Sequence, residues 1–391
     1  LLVFLSLSAC SRLGAEPVKQ WQTYAGYNPE GYGRHVVLIS GDEEYRSEEA
    51  LSQLGKILAV RHGFHCTVLY AQDPGEPGVI NPRHLTHIPG LEALRTAELM
   101  IIETRFRALP DEQMEEIESY LLSGRPVIGL RTANHGFRFP EDSKWHHYSW
   151  RYEGPKEEWH QGFGGLVLGS WFFSHHGWHG KESTRGVIEP AAANHPILRG
   201  IEPGSVWGAT DVYGVSEPIP GEDVTVVLRG EVLAGMEFDS PPVGPGPYEK
   251  APDYIREGSN DKNDPMQALA WTKSYQLPGG RKGRAFCTTL GASQDLAAEG
   301  TRKLLVNAVY WCLDMAPIDP DVRIVDTFEP SPFKSHPLEY WTERRLLVSE
   351  FDLASPVHEP GGADQGEPPA PYFDVTGGRD DFGYDFAEHP V

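Results

Sequence analysis

Between residues 35 and 130, short runs of β-branched and aliphatic side chains alternate with amphipathic stretches. Val36, Val37, Leu38 and Ile39 form an unbroken apolar run, stopped by Ser40, Gly41 and Asp42. Such a run reads as a strand buried on both faces, the kind found in parallel sheets. Residues 47–59 then place Ala50, Leu51, Leu54, Ile57 and Leu58 on one helical face, with Ser47 as a candidate cap and Glu48 and Glu49 in the first turn. The pattern recurs, with strands expected at 66–70, 99–103 and 127–130 and a helix over 110–122 that has Pro110 at its start. Strand–helix alternation of this kind predicts right-handed crossovers with helices on both faces. The expected fold class is therefore α/β, a three-layer, open, mostly parallel, flavodoxin-like sheet in a single domain with a long insertion. Further strands are expected at 185–188, 224–228, 232–237, 269–273 and 285–290, and a closing helix over 297–313.

The termini read differently. Residues 1–10 are apolar and end in Leu7, Ser8, Ala9 and Cys10, which is similar to a bacterial lipobox and is read as a truncated lipoprotein signal peptide with Cys10 as the lipid attachment site. Ser11 follows the cysteine where an inner-membrane retention signal would usually carry Asp, so an exported lipoprotein of the outer membrane is expected, facing the periplasm or cell surface and bound to the membrane only by its lipid. Residues 11–34 lack periodicity and are read as a tether, 35–316 as the α/β domain, and 317–391 as an extension rich in Pro and acids, draped over the domain. A formal charge of -22 argues against a nucleic acid partner. Cys66, Cys287 and Cys312 form neither a disulfide framework nor a CxxC pattern. The first strand ends without a G-x-G-x-x-G turn, so no nucleotide or flavin cofactor is expected.

In open α/β sheets ligands bind outside the carboxyl ends of the strands, so the residues after each strand matter most. After the first come Asp42, Glu43, Glu44 and Tyr45; after the third, Arg105 and Arg107; after the fourth, Arg131, Thr132, Asn134 and His135. Carboxylates would thus face guanidinium and imidazole groups in one crevice, an arrangement suited to general acid/base chemistry. The alternative is a set of solvated loop charges and helix-capping acids. Residues 131–180 carry five of the ten tryptophans (Trp145, Trp150, Trp159, Trp171, Trp178) and seven of the sixteen histidines. Aromatic rings interleaved with polar groups suit a sugar, whose C–H faces stack on rings; a satellite core over the sheet is the equal alternative. His175 and His179 lie four apart, but Gly177 argues against a helix and no HExxH motif is present. No cofactor is expected; were a divalent metal to bind, His175 and His179 are where it would sit.

Taken in order along the chain, several segments resemble one family. They are residues 36–45 (VVLISGDEEY), 121–133 (LLSGRPVIGLRTA), 163–165 (FGG) followed by His175, 194–201 (NHPILRGI), 210–213 (TDVY), 269–273 (LAWTK) and 283–291 (GRAFCTTLG). Over roughly 35–316 the chain resembles the ThuA-like, or trehalose-utilisation, domain family, which shares the fold of class I glutamine amidotransferases. The resemblance implies a role in carbohydrate use and carries Arg131, His175, Asp211 and Tyr213 over as site residues. An amidotransferase would have a nucleophilic Cys in the turn after the fourth strand; Arg131 stands there, and a guanidinium has no nucleophile to offer at neutral pH. Glutaminase chemistry is excluded at that position. The family tends to have His after the glycine of Leu290 and Gly291, where this chain has Ala292 and Ser293.

The expected activity is acid/base chemistry on a sugar, disaccharide or keto-sugar, as a hydrolase, lyase or isomerase. Glu44 or Asp211 would be the base, His175 or His135 its acid partner, and Arg131 would hold an anionic or carbonyl oxygen, with Tyr213 beside them. Glu43, Tyr45, Arg105, Asn134, Trp178 and His179 are the expected substrate contacts. The alternative is a non-catalytic, surface-anchored carbohydrate-binding or scaffold protein.

Overall fold

A computed structural model describes residues 18–26, 31, 33–246 and 261–353. Cys10, the signal peptide and the Pro-rich residues 361–371 lie outside the described residues. Ten strands form one mixed sheet: β1 (Trp21–Tyr24), β2 (His35–Gly41), β3 (His65–Tyr70), β4 (Leu99–Thr104), β5 (Val127–Leu130), β6 (Ser183–Ile188), β7 (Trp207–Gly208), β8 (Glu222–Leu233), β9 (Gln267–Tyr275) and β10 (Gly283–Thr288). Their spatial order is β1-β3-β2-β4-β5-β10-β9-β8-β6-β7. The helices are α1 (Ser47–His62), α2 (Asp111–Leu122), α3 (Glu299–Cys312) and α4 (Leu338–Arg344).

β2 shows why the apolar runs became central strands. Val36 and Leu38 point into a core shared with α1 and α3, whereas Val37 and Ile39 point into a second core shared with α2. With both faces covered, each side chain must be apolar. α1 stops at Gly63, whose left-handed φ of 80° lets its N–H reach the Ala59 carbonyl at 3.0 Å and the Phe64 N–H reach the Leu58 carbonyl at 3.1 Å. Ser47 is not the cap. Arg46 holds that position in a left-handed conformation, and the Ser47 hydroxyl instead bonds Ser40 Oγ at 2.8 Å and accepts the Asp42 N–H at 3.2 Å, tying the helix start to the end of β2.

The parallel half of the sheet is β3, β2, β4, β5 and β10. The expectation of a mostly parallel sheet stops there. β10 pairs antiparallel with β9, β9 with β8, β8 with β6 and β6 with β7. The turn between β9 and β10 is too short for a crossover, and a short turn can only join antiparallel neighbours. The strands expected at 224–228 and 232–237 are one strand, β8, bent by register shifts instead of broken; residues beyond Leu233 turn away, with the Ser240 hydroxyl accepting the Glu237 N–H.

Two expectations about the ends need correction. Within the supposed tether, Trp21–Tyr24 forms β1 and pairs antiparallel with β3, covering an edge that would otherwise be open. Residues 318–353, read as draped over the domain, also enter its core: Val322, Val325, Trp341, Leu346, Val348 and Phe351 are buried with α1 and α3. Tyr24 Oη donates to the Phe351 carbonyl at 2.6 Å, so the two ends of the described chain hold each other. Among the described residues no helix is long and apolar enough to cross a membrane. Cys66, Cys287 and Cys312 are free and buried, and burial pushes their thiols up, away from reactivity.

The aromatic stretch from 131 to 180 is built of short helical turns. Trp145, Trp150 and Trp159 are buried, and Trp145 and Trp159 join Tyr148 and Phe163 in the core on the α2 side. For these three tryptophans the satellite-core alternative holds. Trp171 and Trp178 keep part of their surface open.

Candidate functional site

Four turns converge at the carboxyl ends of β2, β4, β5 and β10. After β2 the Asp42 carboxylate accepts the N–H of Glu44 at 2.9 Å and that of Tyr45, closing a tight turn that sends both side chains inward. After β5, Arg131 has a positive φ of 35°, and its N–H meets the Leu290 carbonyl at 3.1 Å. The Arg131 guanidinium lies between the Tyr45 and Tyr213 rings, 4.1 and 4.3 Å from their centroids. It donates to the carbonyls of Asp211 (2.9 Å) and Thr289 (2.8 Å), to Tyr45 Oη (3.1 Å) and to Asp211 Oδ1 (3.1 Å). Both terminal nitrogens of Arg131 are thus committed to Asp211, Tyr45 and the Thr289 carbonyl, while its Nε is buried without a hydrogen-bond partner.

The histidine loop closes over Asp211. The N–H groups of His176 and Gly177 both donate to the Val212 carbonyl, at 2.9 and 3.2 Å, and His176 Nε2 bonds the Lys262 carbonyl at 2.7 Å. A Cβ on Gly177 would lie 2.9 Å from Asp211 Cβ, so only glycine allows this approach. His175 Nδ1 meets Asp211 Oδ2 at 2.7 Å, and His179 Nδ1 meets Asp211 Oδ1 at 3.0 Å. The other His179 nitrogen, Nε2, lies 2.9 Å from Glu44 Oε1. One imidazole therefore bridges two carboxylates that are distant in sequence. His175 and His179 keep 12% and 11% of their side-chain surface exposed, while Asp211 has none, so solvent reaches the cluster from the imidazole side.

The electrostatics follow from this geometry. Burial alone would raise the Asp211 carboxyl, but His175 and Arg131 beside it hold it well below the usual range. Burial likewise opposes ionisation of Glu44, yet the His179 hydrogen bond and charge bring it down to about 2. For His179, burial is outweighed by hydrogen bonds to Asp211 and Glu44, which raise it to about 9. His175 goes the other way, lowered by burial despite Asp211. Two adjacent imidazoles with proton affinities pushed apart are a common mark of functional sites.

The other expected residues are placed as follows. Glu43 is buried in ion pairs with Arg105 and Arg107, the latter at 2.7 Å, and braces the loop instead of facing a ligand. His135 sits among Phe106, Phe172 and Trp150 with Nδ1 bonded to Asn134 Oδ1 at 2.7 Å; burial lowers its proton affinity well below the usual value. The pair His135 and Asn134 lies behind the cluster, bonded to each other. Trp178 donates its N–H to Glu182 Oε2 at 2.6 Å and carries Lys181 on its ring at 3.8 Å. Glu44, Tyr45, Arg131, His175, His179, Asp211 and Tyr213 are brought together.

Three contributors went unread in the sequence. Phe333, from the C-terminal extension, lies 5.5 Å from the Tyr45 ring and 5.3 Å from His179, while the Lys334 N–H donates to the Glu44 carbonyl at 2.9 Å. Nothing in the composition of that segment points inward. Asp295 accepts the N–H groups of Thr210 (3.1 Å), Gly291 (2.9 Å) and Ala292 (3.2 Å) and so fixes the turns on either side of Asp211; its place in the turn after β10 was the available signal. Glu103, at the end of β4, is fully buried with no hydrogen-bond partner on either oxygen.

Fold and site together define an α/β protein with a His–Asp–His–Glu cluster at its strand ends. No family model matches the chain, and no curated protein does. Among solved structures it is similar to a protein described as ThuA-like from Bacteroides uniformis (14% identity, 75% of this chain and 98% of that one, TM-score 0.43). It is similar also to one described as ThuA-like from Parabacteroides merdae (13% identity, 78% and 98%, TM-score 0.43) and to a cytoplasmic protein from Salmonella typhimurium (11% identity, 72% and 99%, TM-score 0.34). At this degree of overlap the chemistry is read from the site itself.

Proposed function

We propose that the chain takes part in carbohydrate use by acting on a sugar, disaccharide or keto-sugar through proton transfer, without a cysteine nucleophile. The observation that supports it most is His179, bonded on one side to Glu44 at 2.9 Å and on the other to Asp211 at 3.0 Å. Glu44 and His179 are the proton-transfer couple: the carboxylate and imidazolium share a proton along their contact, and Glu44 Oε2 is buried without a hydrogen-bond partner. Asp211 stays ionised and orients both imidazoles, and Arg131 positions Asp211. The choice of sugar rests on the ThuA-like sequence resemblance and on the half-open Trp178 and Phe333 near the opening.

The test is to incubate the protein with a panel of mono- and disaccharides and their keto forms and follow consumption by chromatography. Glu44→Gln is expected to slow turnover by about 10²–10⁴-fold while leaving binding measurable. Binding of a sugar with no consumption of any would overturn catalysis and favour the second reading, a non-catalytic carbohydrate-binding protein. That reading draws support from Glu43, whose two oxygens are taken up by Arg105 and Arg107, and from Arg131, whose terminal nitrogens are committed to Asp211, Tyr45 and the Thr289 carbonyl. Export as a lipoprotein anchored at Cys10 belongs to the same proposal; a mature N-terminus lacking an acylated Cys10, by mass spectrometry of protein from its own cells, would remove it.

A further inference from the structure

We propose that His175, His179 and Asp211 hold one divalent transition-metal ion, with Glu44 as the hydrogen-bond acceptor that orients His179. The proposal builds on the reading that these groups form the functional site and adds the species that would polarise a sugar oxygen there.

One ligand atom from each of the three residues lies within 4.8 Å of the other two. Two imidazole nitrogens and a carboxylate oxygen are a donor set that suits Zn²⁺, Mn²⁺, Co²⁺ or Fe²⁺, and three protein ligands leave positions for water or substrate. The arrangement around His179 is the more telling one. A metal-ligating histidine ordinarily donates its other ring N–H to a carboxylate, which fixes the tautomer and the ring plane. With His179 Nδ1 turned toward Asp211, Nε2 is already 2.9 Å from Glu44 Oε1. The hydrogen bond between Glu44 and His179 is therefore kept when the metal is present, with His179 then a neutral imidazole that donates its Nε2–H to Glu44.

The remaining supports hold the ligands in place before any ion arrives. Arg131 Nη2 at 3.1 Å fixes Asp211 Oδ1. The loop carrying the two histidines is pinned between them, by His176 on the Lys262 carbonyl at 2.7 Å and by the Trp178 N–H on Glu182 Oε2 at 2.6 Å. Lys262 Nζ reaches the same Glu182 oxygen at 2.7 Å, so both anchors belong to one buried pair. The contacts of 2.7 and 3.0 Å between imidazole and carboxylate are somewhat shorter than the spacing of ligands around an ion with bonds of about 2.0–2.1 Å. Binding thus exchanges two hydrogen-bonding protons for the ion, with a small outward shift of the two rings. Their exposed side is where that shift meets least resistance.

The experiment uses the full chain, stripped with a chelator and titrated in the absence of sugar with Zn²⁺ by calorimetry and with Co²⁺ by visible absorption. One equivalent should bind. His175→Ala and His179→Ala should each weaken it at least a hundredfold, Glu44→Gln by about tenfold or more, and His160→Ala, at an exposed position elsewhere, not at all. In the unaltered protein, imidazole ¹⁵N spectra should shift for His175 and His179 on metal addition, which guards against variants that fail to fold. No saturable binding, equal affinity in both histidine variants, or spectra in which other histidines shift instead would overturn the proposal. Because affinity is read without sugar, its failure leaves the proton-transfer reading standing. A chain that binds metal as expected yet consumes no sugar would sink that reading alone.

Discussion

Arg131 spends its hydrogen bonds on Asp211, Tyr45 and the Thr289 carbonyl, inside a sandwich of two phenol rings. Arg131→Met would leave Asp211 buried beside neutral groups and the two histidines, and breaking such a pair costs about 3–5 kcal/mol. Urea unfolding should show that loss; a variant of unchanged stability but impaired sugar binding would mean that Arg131 contacts ligand after all. Glu103 makes a second prediction at this scale. Burial first, then the charges of Asp42 and Asp295 and of Glu48, hold its carboxyl well above the usual range, against the pull of Arg131. The folded chain therefore keeps a proton that the unfolded chain gives up above about pH 4. The stability of the fold is full, as far as Glu103 decides it, below that pH and declines as pH rises toward the folded value. Glu103→Gln cannot ionise and should flatten the decline, gaining on the parent protein between pH 5 and 8 in unfolding midpoints; parallel pH profiles would refute this.

At the scale of elements, the loop that carries His175 and His179 works only because Gly177 lies against Asp211. Gly177→Ala should push the loop outward, at a cost of about 1–3 kcal/mol in stability, as overpacking usually does. It should also separate both rings from the carboxylate, visible as loss of their hydrogen-bonded imidazole proton signals. Unchanged signals would show that the loop tolerates a side chain there. The strands and helices themselves were readable from their periodicities, since β2, α1, β4, α2 and β5 depend on which faces each segment buries. The start of α1 at Ser47 was readable too, but its cap was not, because Arg46 in a left-handed conformation answers to Glu48 and Glu49 and to Trp341, which lies 5.2 Å from its guanidinium. Within the site, Glu44, Tyr45 and Arg131 were identifiable as residues following strands. The roles of Glu43 and His135 were not, since a loop residue's partner lies in another turn.

For the molecule as a whole, the segment after the last core helix behaves as part of the domain. Ending the chain at Ala316 would uncover the places now filled by Val322, Val325, Trp341, Leu346, Val348 and Phe351. At about 1.5–3 kcal/mol for each fully buried side chain, that exceeds the 5–15 kcal/mol by which ordinary domains are stable or consumes most of it. A chain ending at Leu353 should keep a cooperative melt while one ending at Ala316 should not; equal melting of the two would refute the role given to the segment. The sequence alone determined that the chain is α/β, that its first half makes parallel strands, that Arg131 stands in the turn after β5, and which turns follow the other strands. These properties are local or depend on repeating periods. Tertiary structure decided that half of the sheet runs antiparallel, that residues 21–24 and 318–353 belong to the fold, and that Glu44, His175, His179 and Asp211 meet around one imidazole. Contacts between turns far apart in the chain depend on sheet order and on the shape of the packed core, and neither has a period that a sequence displays.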